Sequence, residues 1–390
     1  MAEKRIRVLI VDDSAFMRKV LRSILTADLQ IEVAGEARDG RDAVAQAEAL
    51  KPDVVTMDIN MPVMDGLQAT EQIMASNPRP ILIVSSESRD GAETTLKSLE
   101  LGAIDFVAKP SSGIDLDMNT VRDELMRKLK MAAKVRVVRT AARSKVQHEV
   151  ASSAPRVDPK GGEEKANGGR SSSGTVNSKP TVPVPAMEPP RNGRFPLVII
   201  ACSTGGPATL MKFVPLFGKN FPGAVVIVQH MPGTFTPQFS QQLSQISAIT
   251  VKEAEQSEAL RPGTLYICPG SHHLRISSSG RIALDDGPRI SGYRPCADVA
   301  LETAAAFAGP MTVGVILTGM GNDGARGIQA VKAAGGFAVV QDEATSVIFG
   351  MPAEAIKTGA VDQVLPLEEI FPAVEKRVLY ACGIAKVGTL

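Results

Sequence analysis

Three apolar runs in the C-terminal half of the chain each end in a residue that can take part in acyl transfer. Residues 197–201 lead into Cys202-Ser203-Thr204-Gly205-Gly206-Pro207, and residues 224–228 into Gln229-His230-Met231. Residues 311–317 lead into Thr318-Gly319-Met320-Gly321-Asn322-Asp323-Gly324. As parallel strands of one sheet, these runs would bring a hydroxyl, an imidazole and a carboxylate to its carboxyl edge, where open α/β folds bind ligands. A serine hydrolase needs that set. As the third member, Asp323 would accept the His230 Nδ1–H and fix the tautomer that takes the serine proton.

Each residue alone has a plainer reading. Ser203 fits ordinary turn chemistry. A helix starting near Pro207 would also put its hydroxyl beside helix N–H groups able to hold an oxyanion. Ser-Thr-Gly-Gly-Pro is neither of the common nucleotide-phosphate motifs nor the GxSxG elbow. A lone histidine at a strand end is often structural, and Asp323 would serve as a helix N-cap. Of the other histidines, His148 lies in a polar stretch, and His272-His273 follow Pro269-Gly270-Ser271 as a turn. Cys202, the rival nucleophile, should point to the opposite side of its strand from Ser203, as a small buried hydrophobe.

The N-terminal part alternates strand and helix patterns. Runs at 6–11, 31–34, 54–57, 81–84 and 104–107 are rich in branched aliphatics, and Met17, Val20, Leu21, Ile24 and Leu25 have helical spacing between two of them. Such units predict a parallel sheet with helices on both faces. Asp12 and Asp13 follow the first run, Asp58 the third, Ser85 the fourth, and Lys109-Pro110 the fifth. Carboxylates converging on one edge call for a hard divalent cation, and Mg²⁺ suits an oxygen-only site. Beside it the Asp58 carboxylate could attack a phosphoryl group, with Lys109 and Ser85 contacting the product.

Length and composition bound these readings. At 390 residues and 44% apolar content the chain can bury at least two cores. A net charge of +1 gives no reason to expect nucleic acid. The four cysteines, 202, 268, 296 and 382, lack disulfide or zinc spacing. No run matches a signal peptide or membrane span, so the expectation is a cytoplasmic protein that is not membrane-embedded. Between residues 140 and 194 there is no Leu, Ile, Phe or Tyr. Such a stretch cannot offset its ordering entropy by burial and is expected to be a flexible tether.

Asp12-Asp13, Asp58 followed by Asn60-Met61-Pro62 and Asp65-Gly66, Ser85 and Lys109-Pro110 together resemble the receiver domain of two-component response regulators, over about residues 4–125. The resemblance implies a flavodoxin-like (βα)5 fold with Asp58 as phosphoacceptor. It also implies Mg²⁺ on Asp13, Asp58 and the Asn60 backbone carbonyl, Asp12 supporting them, and Ser85, Phe106 and Lys109 as switch residues. Most receivers carry DNA-binding effectors. The second half of this chain is too long for one such module and lacks its basic recognition helix.

The Ser203, His230 and Asp323 segments occur in order with Cys268-Pro269-Gly270, Arg294-Pro295-Cys296-Ala297-Asp298 and Gln341-Asp342-Glu343-Ala344-Thr345-Ser346-Val347. With a receiver in front, the chain resembles the chemotaxis response-regulator protein-glutamate methylesterases. Cys202 and Cys296 stand where that family more usually has Ala or Ser, and the tether is longer than usual. The resemblance implies a receiver at 4–125, a linker at 126–194 with a helical start, and a doubly wound, mostly parallel α/β catalytic domain at 195–385. It implies Ser203, His230 and Asp323 as triad, backbone N–H groups near Thr204 or Met320 as oxyanion donors, and no cofactor in the catalytic domain. The implied substrates are glutamate γ-methyl esters and glutamines of methyl-accepting chemotaxis receptors, and the implied phosphodonor is a chemotaxis histidine kinase. The alternatives are a phosphorylation-dependent adaptor, which the presence of Ser203 and His230 argues against, and a hydrolase of some other ester, which pocket shape would decide.

Overall fold

The computed structural model describes residues 4–85, 89–109, 118–135 and 195–384. The expected tether lies outside these residues. The N-terminal strands are β1 (Ile6–Val11), β2 (Ile31–Ala37), β3 (Val54–Met57), β4 (Ile81–Ser85) and β5 (Asp105–Ala108). They pair in parallel in the order β2-β1-β3-β4-β5. Helices α1 (Ala15–Thr26), α2 (Gly40–Leu50), α3 (Gly66–Ser76), α4 (Arg89–Glu100) and α5 (Met118–Ala132) alternate with them. This is the flavodoxin-like (βα)5 order that the resemblance to receivers implies. Strand order reverses at β1, so Asp12-Asp13 after β1 and Asp58 after β3 meet at the switch point. Helix α5 continues past residue 125, burying Leu125, Leu129 and Ala132 against Val8, Ile10 and Leu82.

The second sheet is wholly parallel, with order β14-β13-β12-β6-β7-β9-β8. Its strands are β6 (Leu197–Cys202), β7 (Ala224–Gln229), β8 (Thr250–Glu253), β9 (Thr264–Ile267), β12 (Thr312–Ile316), β13 (Phe337–Gln341) and β14 (Gln363–Leu365). An antiparallel pair, β10 (His273–Ile276) and β11 (Ile282–Asp285), stands apart. The helices are α6 (Gly206–Phe213), α7 (Thr236–Ile246), α8 (Ala297–Ala308), α9 (Ala325–Ala333), α10 (Met351–Lys357) and α11 (Leu367–Ala381). Both faces of β6, β7 and β12 are buried, which is why these runs read as continuous apolar stretches. Strand β6 lies between β7 and β12, so the loops after all three open at one edge. His273 is no turn residue. It is the first residue of β10, 1% exposed, with Nε2 on the Pro288 carbonyl at 3.0 Å.

A buried apolar cluster joins the two sheets, running from Leu96, Leu99 and Phe106 to Leu210, Phe235 and Phe239. Helix α4 packs on α6 and α7 across it.

One turn beside Asp58 is strained. Val63 has φ 68° and is exposed, with Met64 N–H donating to the Pro62 carbonyl at 2.8 Å. A β-branched residue in this region costs about 1–2 kcal/mol. Glycine removes that cost and adds back part of it in unfolded-chain entropy. Val63→Gly should therefore raise denaturant stability of the receiver by about 0.5–1 kcal/mol. An unchanged or lower midpoint would show that the turn is not strained.

Candidate active site and phosphoacceptor site

Ser203, His230 and Asp323 follow β6, β7 and β12 and meet at one edge. Cys202 pairs with Gln229 in the β6–β7 register, and His230 N–H donates to the Cys202 carbonyl at 3.0 Å, so Ser203 and His230 leave adjacent strands side by side. Gln229 ties the two turns together. Its amide donates to the carbonyls of Ser203 (2.9 Å) and His230 (3.1 Å) and accepts from the Cys202 thiol (3.1 Å). Burial pushes the Cys202 thiol far up, leaving it an inert core group as expected.

The imidazole orientation differs from expectation. Nε2, not Nδ1, meets Asp323 Oδ2, at 2.8 Å. Asp323 approaches from β12, on the far side of β6 from His230, and it is Nε2 that reaches it. The other ring nitrogen, Nδ1, is buried and without a hydrogen-bond partner among the described residues. The Ser203 hydroxyl likewise makes no hydrogen bond among the described residues.

Asp323 is not the N-cap of its own helix. Gly324 takes that position in α9, and the Asp323 carboxylate reaches across to the N-terminus of α8 instead. There it accepts from the N–H groups of Ala297 (2.7 Å) and Asp298 (2.9 Å), and from the Cys296 thiol (3.2 Å). In return, Asp298 Oδ1 accepts from Gly324 (2.9 Å) and Gly327 (2.7 Å) at the start of α9. Each carboxylate thus caps the helix next to the other. Burial drives the Asp323 carboxyl upward, but His230 and the α8 amides outweigh it and hold the group below its ordinary range. Asp298 is raised by burial, with Asp323 adding to the effect, and the Gly324 and Gly327 amides and a more distant Arg326 (3.8 Å) only partly offset it. Burial and the nearby Asp323 push the Cys296 thiol up to about 12.

The N–H groups of Thr204 and Met320 donate to no protein group among the described residues, as oxyanion donors should. Thr318 sets the distance between their loops. Its hydroxyl donates to the Thr204 carbonyl at 3.0 Å and accepts from the Ile348 N–H at 2.9 Å. Gly319 makes the approach possible, since a Cβ there would meet Met351 Sδ at 2.3 Å and Ser203 at 3.0 Å.

The receiver sheet ends on this edge. Asp105 Oδ2 accepts the Thr204 hydroxyl at 2.6 Å, and Phe106 stacks on Phe235 with centroids 4.4 Å apart. Val347, from the loop after β13, packs into the receiver core. Lys128 of α5 is buried and donates to Asp105 Oδ1 (3.1 Å) and the Phe106 carbonyl (2.7 Å), with Glu124 beside it (3.1 Å). Burial would lower the Lys128 pKa, but Asp105 and Glu124 reverse this and raise it. Ser203 is 6% exposed under this cover. None of Asp105, Lys128, Phe235, Asp298 or the Gln229 clamp was singled out for a site from sequence. Asp105 and Phe235 act across the two sheets, and the others through contacts remote in sequence.

At the other switch point, oxygens of Asp12, Asp13 and Asp58 lie within 4.8 Å of one another, with only Asp13 exposed. Lys109 Nζ pairs with Asp12 (3.0 Å) and Asp58 (2.8 Å). Burial raises the Asp58 carboxyl despite Lys109. An all-oxygen set with an exposed member fits a hard cation. Asp12 Oδ1 is committed to the Ser14 N–H at 2.9 Å, and Asn60, in the turn after Asp58, is exposed. Ser85 ends β4 beside β5 and is buried, as is Phe106.

A family model described as the CheB methylesterase matches residues 198–374, and one described as the response regulator receiver domain matches residues 8–120. A protein-glutamate methylesterase/protein-glutamine glutaminase of Pyrococcus abyssi is 42% identical over 398 residues, covering 99% of this chain and 97% of its own. The chain belongs to the CheB methylesterase family. The enzyme of the same name from Symbiobacterium thermophilum is 43% identical over 376 residues, covering 96% of this chain and 98% of its own. The crystal structure of the Thermotoga maritima CheB methylesterase catalytic domain is 42% identical, covers 48% of this chain and 98% of that chain, and superposes with a TM-score of 0.45. Among the described residues, no helix of this CheB-family chain is long and apolar enough to cross a membrane.

The crossed caps give a test. Asp298→Ala leaves two buried N–H groups unpaired and should cost about 1–3 kcal/mol of stability, whereas Asp298→Asn, whose amide oxygen can still accept, should cost less than half as much. Equal losses on denaturant unfolding would mean that charge, not capping, is what Asp298 supplies.

Proposed function

We propose that this chain is a phosphorylation-activated hydrolase that removes methyl groups from glutamate γ-methyl esters of methyl-accepting chemotaxis receptors and deamidates receptor glutamines. The observation that carries the reading is the convergence of Ser203, His230 and an amide-caged Asp323 at one sheet edge, beneath a receiver. In the reaction, His230 Nδ1 takes the Ser203 proton as Oγ bonds to the ester carbonyl carbon. The N–H groups of Thr204 and Met320 hold the resulting oxyanion. The imidazolium, held through Nε2–H by Asp323, returns the proton to the departing methoxide, and methanol leaves. A water deprotonated by the same nitrogen then releases the glutamyl carboxylate and regenerates Ser203. For glutamine the leaving group is ammonia and the acyl-enzyme is the same.

Asp58 is the proposed phosphoacceptor, with a chemotaxis histidine kinase as donor. Asp13, Asp58 and the Asn60 carbonyl would hold Mg²⁺, with Asp12 orienting the site. When bound, Mg²⁺ shields the incoming phosphoryl charge. Lys109 would exchange its pairing with Asp12 for the new phosphoryl oxygens, and Ser85 and Phe106 would follow. Phe106 holds half of the ring contact to Phe235, and its carbonyl binds Lys128, so its movement loosens the Asp105–Thr204 contact and uncovers Ser203. The proposed boundaries are a receiver at 4–125, with α5 completing it, a linker to 194 and a catalytic domain at 195–385.

Release of labelled methanol from methylated receptor membranes tests the catalytic half. Ser203→Ala should lower it at least about a thousandfold, and Asp58→Ala should abolish stimulation by a small phosphodonor with Mg²⁺. Release that survives Ser203→Ala would refute the nucleophile. A separate comparison tests the cover. Thr204→Val keeps the backbone N–H but leaves Asp105 without its hydroxyl donor, at a cost of about 1–3 kcal/mol to the docked state. The ratio of unstimulated to stimulated rate should rise about tenfold, and an unchanged ratio would show that this contact does not hold the receiver down.

A further inference from the structure

Tyr293 has no role in the mechanism above, yet it touches both His230 and the loop that leads to Asp323. Its ring lies flat on the His230 imidazole, with centroids 4.6 Å apart and planes 18° from parallel. Its backbone is fixed by a tight reversal. Ile290 and Tyr293 exchange hydrogen bonds of 3.0 and 2.9 Å around Ser291 (φ 52°) and Gly292 (φ 87°), the type I′ geometry that sets a strand's exit direction. The chain then passes directly into α8, whose N-terminus holds Asp323. At the far end of the ring the phenol oxygen lies against the backbone at Gly321 and Asn322. It sits over Gly321, where at φ 91° an added Cβ would collide with it. Asn322 and Gly321 lie between Met320, the candidate oxyanion donor, and Asp323.

We infer that Tyr293 is a positioning residue for hydrolysis: its ring face fixes the rotation of the His230 imidazole, and its hydroxyl fixes the loop that carries Met320 and Asp323. His230 has few other restraints. Asp323 holds one ring nitrogen along a single hydrogen bond, about which the ring can swing, and Nδ1 is unpartnered. A flat aromatic surface 4.6 Å away removes that freedom and holds the ring in one plane. The same face lies against the group that becomes positive when it takes the serine proton, an arrangement that aromatic quadrupoles favour. The charged and titratable groups around this pair are Asp323 and Cys296 at the α8 N-terminus and Arg127 of the receiver helix α5.

The inference about catalysis rests on the methylesterase reading, whereas the inference about ring orientation does not. The test uses the full-length chain with wild-type Tyr293, Tyr293→Phe and Tyr293→Leu, and Tyr293→Met as a second ring-less variant should the Leu form not fold. NMR of histidine-labelled protein, with His230→Gln to assign the signal among four histidines, reports the ring directly. The His230 ring protons should show an upfield ring-current shift in the wild type and the Phe variant, and lose it in the Leu and Met variants. In the phosphodonor-stimulated methanol assay, the Leu and Met variants should lose about 30-fold in kcat with KM within about twofold, as expected for misplaced catalytic groups. The Phe variant should keep kcat within about threefold, the loss reflecting the freed Asn322 loop. A His230 signal that does not move between Tyr293 and its ring-less variants would overturn the inference, and so would an equal kcat loss in the Phe and Leu forms. If no form releases methanol, the methylesterase reading fails while the NMR comparison still decides the orientation.

Discussion

The active edge depends on one buried anion. Asp323 is 1% exposed, and a lone carboxylate at that depth would take up a proton or pull water in. It remains charged because the α8 N-terminus presents two amides and its dipole, the Cys296 thiol adds a donor, and the His230 Nε2–H closes the set. Every other feature of the site is arranged around this carboxylate. It holds the imidazole ring by Nε2, leaves Nδ1 as the nitrogen without a partner, and through the return cap from Asp298 locks α8 against α9. The loop bearing the Met320 N–H is the loop bearing Asp323, so the candidate oxyanion donor and the histidine's carboxylate partner share one loop.

A second buried charge set lies between the sheets and works in the opposite sense. Lys128, Asp105 and Glu124 are mutually satisfied inside the receiver, except for one Asp105 oxygen, which is turned outward to Thr204. Breaking that contact without replacing it by water leaves a carboxylate oxygen unpaired, so the contact is expected to be made or fully hydrated, with little in between. The Phe106–Phe235 pair adds about 1 kcal/mol to the closed arrangement. Because Phe106 is also bonded to Lys128 through its carbonyl, the aromatic and ionic parts of the interface are coupled. A change at β5 reaches Thr204, and so the candidate oxyanion donor, within a few bonds.

Much of this was legible in the sequence because it is local. Buried parallel strands are short aliphatic runs, and the ends of β1, β3 and β7 fell within a residue of the expected positions. Acidic, hydroxyl and lysine residues after successive strands converge whenever the strands are parallel, so Asp12, Asp58, Ser85 and Lys109 could be assigned to one edge before the strand order was known. Ser203, His230 and Asp323 followed the same logic. The ring orientation of His230 was not legible, because it depends on Asp323 lying across β6 from His230. The real employment of Asp323, capping α8 rather than its own helix, is a tertiary contact with no local signature. His273 was misread because Pro-Gly-Ser-His-His marks a turn but does not show that the following residue opens a buried strand. Asp105 lay unremarked inside the run at 104–107, because its partner Thr204 is 99 residues away in the sequence.

The central claim is that Ser203 is built to react but is covered until Asp58 is modified. The most direct measurement is the rate at which a small fluorophosphonate labels Ser203 in the full-length chain, with and without a phosphodonor and Mg²⁺. The account predicts slow labelling in the resting protein and a severalfold or greater acceleration that Asp58→Ala removes. Equal labelling rates in the two states would contradict it.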